Sequence, residues 1–119
     1  MAPVDLETRT TDFALRIIKL FAALPKTTEA QILGKQLLRC GTSVGAHYRE
    51  AKRGKSTLDF ISKIEGALQE LDETCYWLQL IEKSDMISAR RLSPLQAEAV
   101  ELMKILVTIA KRAKEKLKK

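Results

Sequence analysis

The sequence predicts an all-α fold, an up-down bundle of four helices. Three observations predict it. The apolar content, 45%, is carried by aliphatic residues, with aromatics at only 5%. Glycine (five) and proline (three) are scarce, a mix that favours helices over a sandwich or barrel. Apolar positions recur at alternating steps of three and four along most of the chain. A chain of 119 residues is one domain, residues 1–119, long enough to build a single core without staples.

The first helix is expected from about Thr11 to Leu24. Phe13, Ile17, Leu20 and Leu24 form its stripe, widened by Ile18 and Phe21. Pro25 lacks a backbone donor and pushes Leu24 out of helical geometry, so the helix should stop there. The second begins near Thr28, which has capping-box spacing to Gln31. Its seam is Leu33, Leu37, Cys40, Val44, Tyr48 and Ala51. Gly41 and Gly45 lie inside it, tolerable where another helix packs close and otherwise a break near residue 41. Lys52-Arg53-Gly54-Lys55 reads as a turn. Ser56 then caps a third helix, with Asp59 in its first turn, where negative charge meets the positive helix end. Ile61, Ile64, Leu68, Leu71, Cys75 and Leu78 make an unbroken heptad seam.

A connector follows Lys83. Ser93-Pro94-Leu95-Gln96 reads as the start of the last helix: a capping serine, a proline in the first turn and a glutamine that completes the box. Leu95, Ala99, Leu102, Leu106, Ile109 and Ala113 form its seam. A second row, Val100, Met103, Val107 and Ala110, runs beside it, and Ile105 adds more apolar surface. That is too apolar for one contact face, which implies a subunit interface. Residues 1–10 and 112–119 are expected to be disordered or frayed.

Catalytic motifs are lacking. The sequence holds no Gly-rich phosphate loop, no HExxH and no GxSxG. His47 is the lone histidine and sits beside a core seam, the usual place for a structural one. Cys40 and His47 share a helix face, but two ligands do not make a metal site. Glu50, Glu70 and Glu73 have neighbouring bases or solvent-facing spacing. Some helical ribonucleases place an arginine and a histidine four to six residues apart, whereas Arg39 and His47 have seven residues between them. The protein is therefore read as no enzyme, with no cofactor and no metal. Cys40 and Cys75 suggest no disulfide framework, and a reducing cytoplasm is the simpler reading. The N-terminus MAPVDLETRTTD does not resemble a signal peptide. The longest apolar runs fall far short of the ~20 residues that span a bilayer.

Charge is the informative signal. The net charge is +6, yet Asp59 to Asp85 carries −5, leaving +11 on the rest. A basic balance suggests an anionic partner. On the second helix Lys35, Arg39, Thr42, Ala46, Arg49 and Arg53 fall within about 40° of one line, opposite the apolar face. Lys104, Lys111 and Lys118 form a similar line on the fourth helix. Cations at such spacing follow phosphates, arginine with bidentate contacts, and the Thr42 and Ser43 hydroxyls add to them. Tyr48 lies nearer the core and is a poor stacking candidate. Two rival readings stand: a solvated face, or a ridge that pairs with the acidic third helix of another copy.

The stretch Gln36 to Ala51, QLLRCGTSVGAHYREA, with Asp59-Phe60-Ile61 and Glu73-Thr74-Cys75-Tyr76-Trp77-Leu78, resembles the four-helix-bundle proteins encoded by intervening sequences in bacterial 23S ribosomal RNA genes. Asp12-Phe13-Ala14 and Leu24-Pro25 also fit, so the likeness covers Asp12 to Ile81. The accessory proteins of diversity-generating retroelements look like relatives. The resemblance implies a bundle assembled as a ring-shaped homopentamer. For the retroelement relatives it implies binding to a reverse transcriptase and to nucleic acid through basic surfaces. By match it carries over Arg39, Arg49 and Arg53 as phosphate contacts, and Thr42, Ser43, Val44 and Gly45 as a close-packed centre. Cys40, Gly41, His47 and Cys75 depart from the residues common in the family. The reading that follows is a sequence-tolerant, oligomeric RNA- or DNA-binding protein, an accessory in RNA processing or reverse transcription. The alternative is a scaffold for an acidic protein.

Overall fold

A computed structural model describes residues 5–118, in four helices: α1 (Leu6–Ala23), α2 (Thr28–Lys52), α3 (Thr57–Lys83) and α4 (Ala89–Leu117). Each starts at a short polar side chain that accepts from an otherwise unpaired backbone N–H. Asp5 accepts from Thr8, Thr27 from Ala30, Ser56 from Asp59 and Ser88 from Arg91. The helices pack in chain order, α1 on α2, α2 on α3 and α3 on α4, while α4 touches α1 only sparingly.

Two starts differ from expectation, and α2, which does start at Thr28, is capped by Thr27 rather than by a Thr28–Gln31 box, the Gln31 side chain donating to the Pro25 carbonyl instead. α1 begins at Leu6, not near Thr11, because Thr10 is a core residue: fully buried, its hydroxyl donates to the Leu6 carbonyl at 2.7 Å. Satisfied within its own helix, it extends the buried stripe to Leu6, Thr10, Phe13 and Ile17. α4 begins at Ala89, with Ser88 rather than Ser93 as its cap, and Pro94 lies well inside the helix. The proline ring leaves the Arg90 carbonyl without its usual donor. Burial of Ile87 and Leu92, at 4% and 0% exposure, favours the earlier start and offsets that loss. Residues 6–10 and 112–117, expected to fray, are helical. The fraying expected of residues 1–4 and 119 lies outside the described residues. Leu24 does leave helical geometry before Pro25.

α2 runs unbroken through Gly34, Gly41 and Gly45, which form one row against α1. A Cβ on Gly41 would sit 2.8 Å from Ile17 Cγ1, and one on Gly45 would sit 3.0 Å from Thr10 Oγ1. The missing side chains let the two backbones approach, which offsets the roughly 0.5–1 kcal/mol each helical glycine costs. On the other flank α2 meets α3. Cys40 Sγ lies 3.2 Å from the buried Thr74 hydroxyl, which donates to the Glu70 carbonyl at 2.7 Å. Both cysteines are free thiols, and burial pushes each above its ordinary pKa.

α1 and α4 are joined by one strong contact. The Arg9 guanidinium grips Glu98 with two hydrogen bonds, of 2.7 and 2.8 Å. That bond holds the Glu98 carboxyl below its usual pKa, against the opposing effect of burial. A carboxyl whose pKa falls on folding stabilises above its unfolded pKa of about 4.3, and the gain disappears as pH drops through the lowered folded value. Replacing Glu98 with Gln should therefore lower Tm at pH 7 by roughly 4–8 °C, for a loss of about 1–2 kcal/mol. It should also blunt the further fall in Tm between about pH 5 and 3. Melting curves identical to those of the parent at both ends of that range would mean the clamp adds nothing.

α4 (29 residues) outruns α1 (18 residues), so its last turns extend past Leu6. Ile105 and Ile109 are consequently only partly buried, while Val100 and Val107 stand 48% and 45% exposed on the outer flank. The surplus apolar surface expected on this helix is present.

Candidate nucleic-acid interface

The α2 ridge stands where its spacing placed it: Lys35, Arg39, Arg49 and Arg53 are all exposed, opposite the buried Leu37, Cys40, Val44 and Ala51. Carboxylates of the same chain reach half of it. Arg39 lies 3.4 Å from Glu70 and 3.4 Å from Glu73 on α3, and attraction to Glu70 first of all raises its pKa. Arg49 and Lys52 share Glu7 of α1, at 3.4 and 3.5 Å. The acidic third helix thus does meet the ridge, within one protomer. These pairs are long, and all but Arg39–Glu70, whose carboxylate is largely covered, are solvent-exposed on both sides; exposed pairs contribute about 0–1 kcal/mol. Among the described residues Lys35 and Arg53 have no ion-pair partner.

The hydroxyls are less available than expected. Thr42 donates to the Leu38 carbonyl and Ser43 to the Arg39 carbonyl, both at 2.7 Å. Each proton a phosphate oxygen would need is already committed to the helix. On α4, Lys104 pairs loosely with Glu101 at 3.6 Å, while Lys111 and Lys118 are exposed without an ion-pair partner among the described residues. α2 and α4 make no packing contact, so the eight predicted residues form two separate surfaces rather than one.

A third basic cluster escaped the sequence reading. Arg16 and Lys19 of α1 and Arg91 of α4 line a cleft of about 210 Å³ together with Leu20 and Leu95. Arg16 and Lys19 are a helical turn apart on α1, a signal open to view. Arg91 was hidden, because it falls in what reads as a connector when α4 is started at Ser93.

His47 packs against Gly66, whose absent Cβ would lie 3.1 Å from the ring Nδ1. That nitrogen is buried without a hydrogen-bond partner, 3.9 Å from Glu50. Among the described residues no three metal-ligating side chains converge, and no helix is long and apolar enough to cross a membrane.

A protein from the S23 ribosomal protein family of Bacteroides thetaiotaomicron VPI-5482, described as having unknown function, shares this fold. It is 36% identical, with a TM-score of 0.84 over 88% of this chain and 97% of that one. No curated protein matches the chain. The family model for the 23S rRNA-intervening sequence protein matches residues 4–108. With nearly the whole bundle inside that match, the chain belongs to the 23S rRNA-intervening sequence protein family.

Proposed function

We propose that the protein is a non-catalytic nucleic-acid-binding protein that grips phosphate backbones with little sequence preference and works as an oligomer. The exposed cationic line of α2 carries this reading: four cations in about five turns, two of them without an ion-pair partner among the described residues and the other two in pairs of 3.4 Å. Single-stranded RNA or DNA is the preferred partner, and a role as accessory in RNA processing or reverse transcription, beside a reverse transcriptase or another protein, fits a family encoded within ribosomal RNA genes. The reading extends to a pentameric ring. A cyclic assembly needs two different complementary patches per subunit. Leu15 and Ile18 on α1, 55% and 46% exposed, and Val100 and Val107 on α4 supply two.

Fluorescence anisotropy with a single-stranded RNA should give an affinity whose logarithm falls linearly with log salt, by about 0.7 per phosphate contacted. Undetectable binding to RNA and DNA at low salt would end this reading. A partner protein captured through the ridge after nuclease treatment would favour the acidic-scaffold alternative. RNA turnover abolished by His47→Ala would make the protein a nuclease. Sedimentation at other than five times the 13.4 kDa protomer mass would remove the ring.

A further inference from the structure

The cleft between α1 and α4 lies away from the α2 ridge, and its electrostatics differ. On the ridge two of four cations lean on carboxylates. In the cleft, Arg16, Lys19 and Arg91 converge from two helices, all exposed, and no ion pair engages any of them among the described residues. Glu98 on α4 feels the charge of Arg16, but both of its oxygens are held by Arg9. Asp12, one turn from Arg16 on α1, lines the adjoining surface with Arg16 and Lys19, and no ion pair joins it to either among the described residues.

The fold also places charge here against its own preference. Arg90 and Arg91 occupy the first turn of α4, which contains no acidic residue, although the positive end of a helix favours anions. Like charges brought together in this way destabilise the apo protein slightly. An anion in the cleft would offset that cost. Leu20 and Leu95 line the cleft beside the three cations, the apolar surface that arginine and lysine stems pack on while their charged ends stay in water.

About 210 Å³ gives room inside the cleft for a single phosphate with part of a nucleoside. The Arg9–Glu98 clamp and Glu101 lie along α4 on one side, so a backbone continuing that way would leave the cations and meet carboxylates. A phosphate monoester carries −1.5 to −2 near neutral pH, against −1 for an internal diester, and three converging cations select the more highly charged group.

We propose that the cleft lined by Arg16, Lys19 and Arg91 is a binding site for a phosphate monoester, carried by the 5′ end of a nucleic-acid strand or by a free nucleotide. The site stands on its own geometry and does not require the ridge to bind nucleic acid.

The test compares one oligonucleotide with a 5′-phosphate and with a 5′-hydroxyl, alongside adenosine monophosphate, on the full chain. The phosphorylated strand should bind about tenfold tighter, a preference lost in R16Q/K19Q/R91Q and kept in K35Q/R39Q/R49Q/R53Q. Competition by adenosine monophosphate at a concentration similar to that of the strand would assign the site to nucleotides. Weak competition would assign it to strand ends. Equal affinity for the two oligonucleotides, together with no adenosine monophosphate binding, would overturn the proposal even if the ridge binds both strands. A hydroxyl strand that fails to bind while the phosphorylated one does would leave the cleft standing and remove the ridge. Because all three residues are exposed, the triple variant should fold; should it melt early, the single variant K19Q, at the cleft mouth, should still show a reduced preference.

Discussion

Changing Lys35, Arg39, Arg49 and Arg53 together to glutamine should weaken binding to a single-stranded RNA by roughly one to two orders of magnitude at 50 mM salt, and should flatten the log–log salt slope by about 3. The reasoning is counterion release: each cation that sits on a phosphate frees condensed ions, and four such contacts at about 0.7 each set the change in slope. Stability should move little: the Arg39–Glu73 and Arg49–Glu7 pairs are exposed and worth about 0–1 kcal/mol each, and the largest cost should come from the largely covered Glu70 carboxylate that loses Arg39. A companion variant tests the same idea from the other side. Glu70→Gln with Glu73→Gln frees Arg39 and removes two negative charges within a Debye length of the ridge, about 10 Å at 0.1 M salt. It should bind the same RNA about two- to fivefold more tightly at low salt, with the gain shrinking as salt rises. A solvated surface with no partner predicts no change in either variant. A ridge evolved to pair with other copies predicts that the glutamate variant loses its oligomeric state. Ridge variants that retain both parental affinity and slope would remove α2 from any nucleic-acid interface.

Much of this molecule was legible in its sequence, and the failures have identifiable causes. The seam of α3 was read correctly where it faces the core: Ile61, Ile64, Leu71 and Leu78 are all buried. Leu68 and Cys75, in the same heptad pattern, are only partly buried and pack against the margin of the core. A periodicity count cannot see that difference, since it depends on how closely two helices approach. Thr10 and Thr74 are buried for another reason. Each hydroxyl bonds to a carbonyl one turn back, so a nominally polar residue fills a core position at no cost in unpaired groups. Hence α1 was started a turn late. At α4 two serines offered plausible caps, and the proline after Ser93 strengthened the wrong one. What decided the matter was burial of Leu92, a tertiary fact. That error concealed the cleft by turning Arg90 and Arg91 into loop residues.

The ridge shows the same division between what one helix encodes and what packing adds. Angular position follows from 100° per residue and was right for every cation. Partners follow from rise and rotation between helices, which no single-helix argument contains. Thus Arg39 falls between Glu70 and Glu73, and Arg49 beside Glu7, while Lys35 has neither. The rival reading placed acid against ridge between protomers; the pairing exists within one chain, and leaves the ridge partly charged rather than cancelled.

Gly41 supplies the sharpest test of how the bundle is packed. Alanine there should gain the roughly 0.5–1 kcal/mol of helix propensity that glycine forgoes. It should still destabilise, because its Cβ would fall 2.8 Å from Ile17 Cγ1 and 3.0 Å from Ile17 Cγ2. Ile17 is fully buried, and its branched Cβ leaves few rotamers to escape into. Overpacking of this kind costs about 1–3 kcal/mol, so Gly41→Ala should lower Tm by roughly 4–8 °C after the propensity gain. Ile17→Ala alone should cost about 2–5 kcal/mol through the cavity it opens. In that background the clashing atoms are gone, and a methyl at position 41 fills part of the void. The same Gly41→Ala change should therefore reverse sign and stabilise by about 0.5–1 kcal/mol, a coupling in the double-mutant cycle of roughly 1.5–3 kcal/mol. Reversible thermal or urea melts of the four proteins measure it. If Gly41→Ala destabilises equally in both backgrounds, α1 and α2 are not packed at glycine contact distance, and the α2 rotation that puts Lys35, Arg39, Arg49 and Arg53 in water loses its anchor.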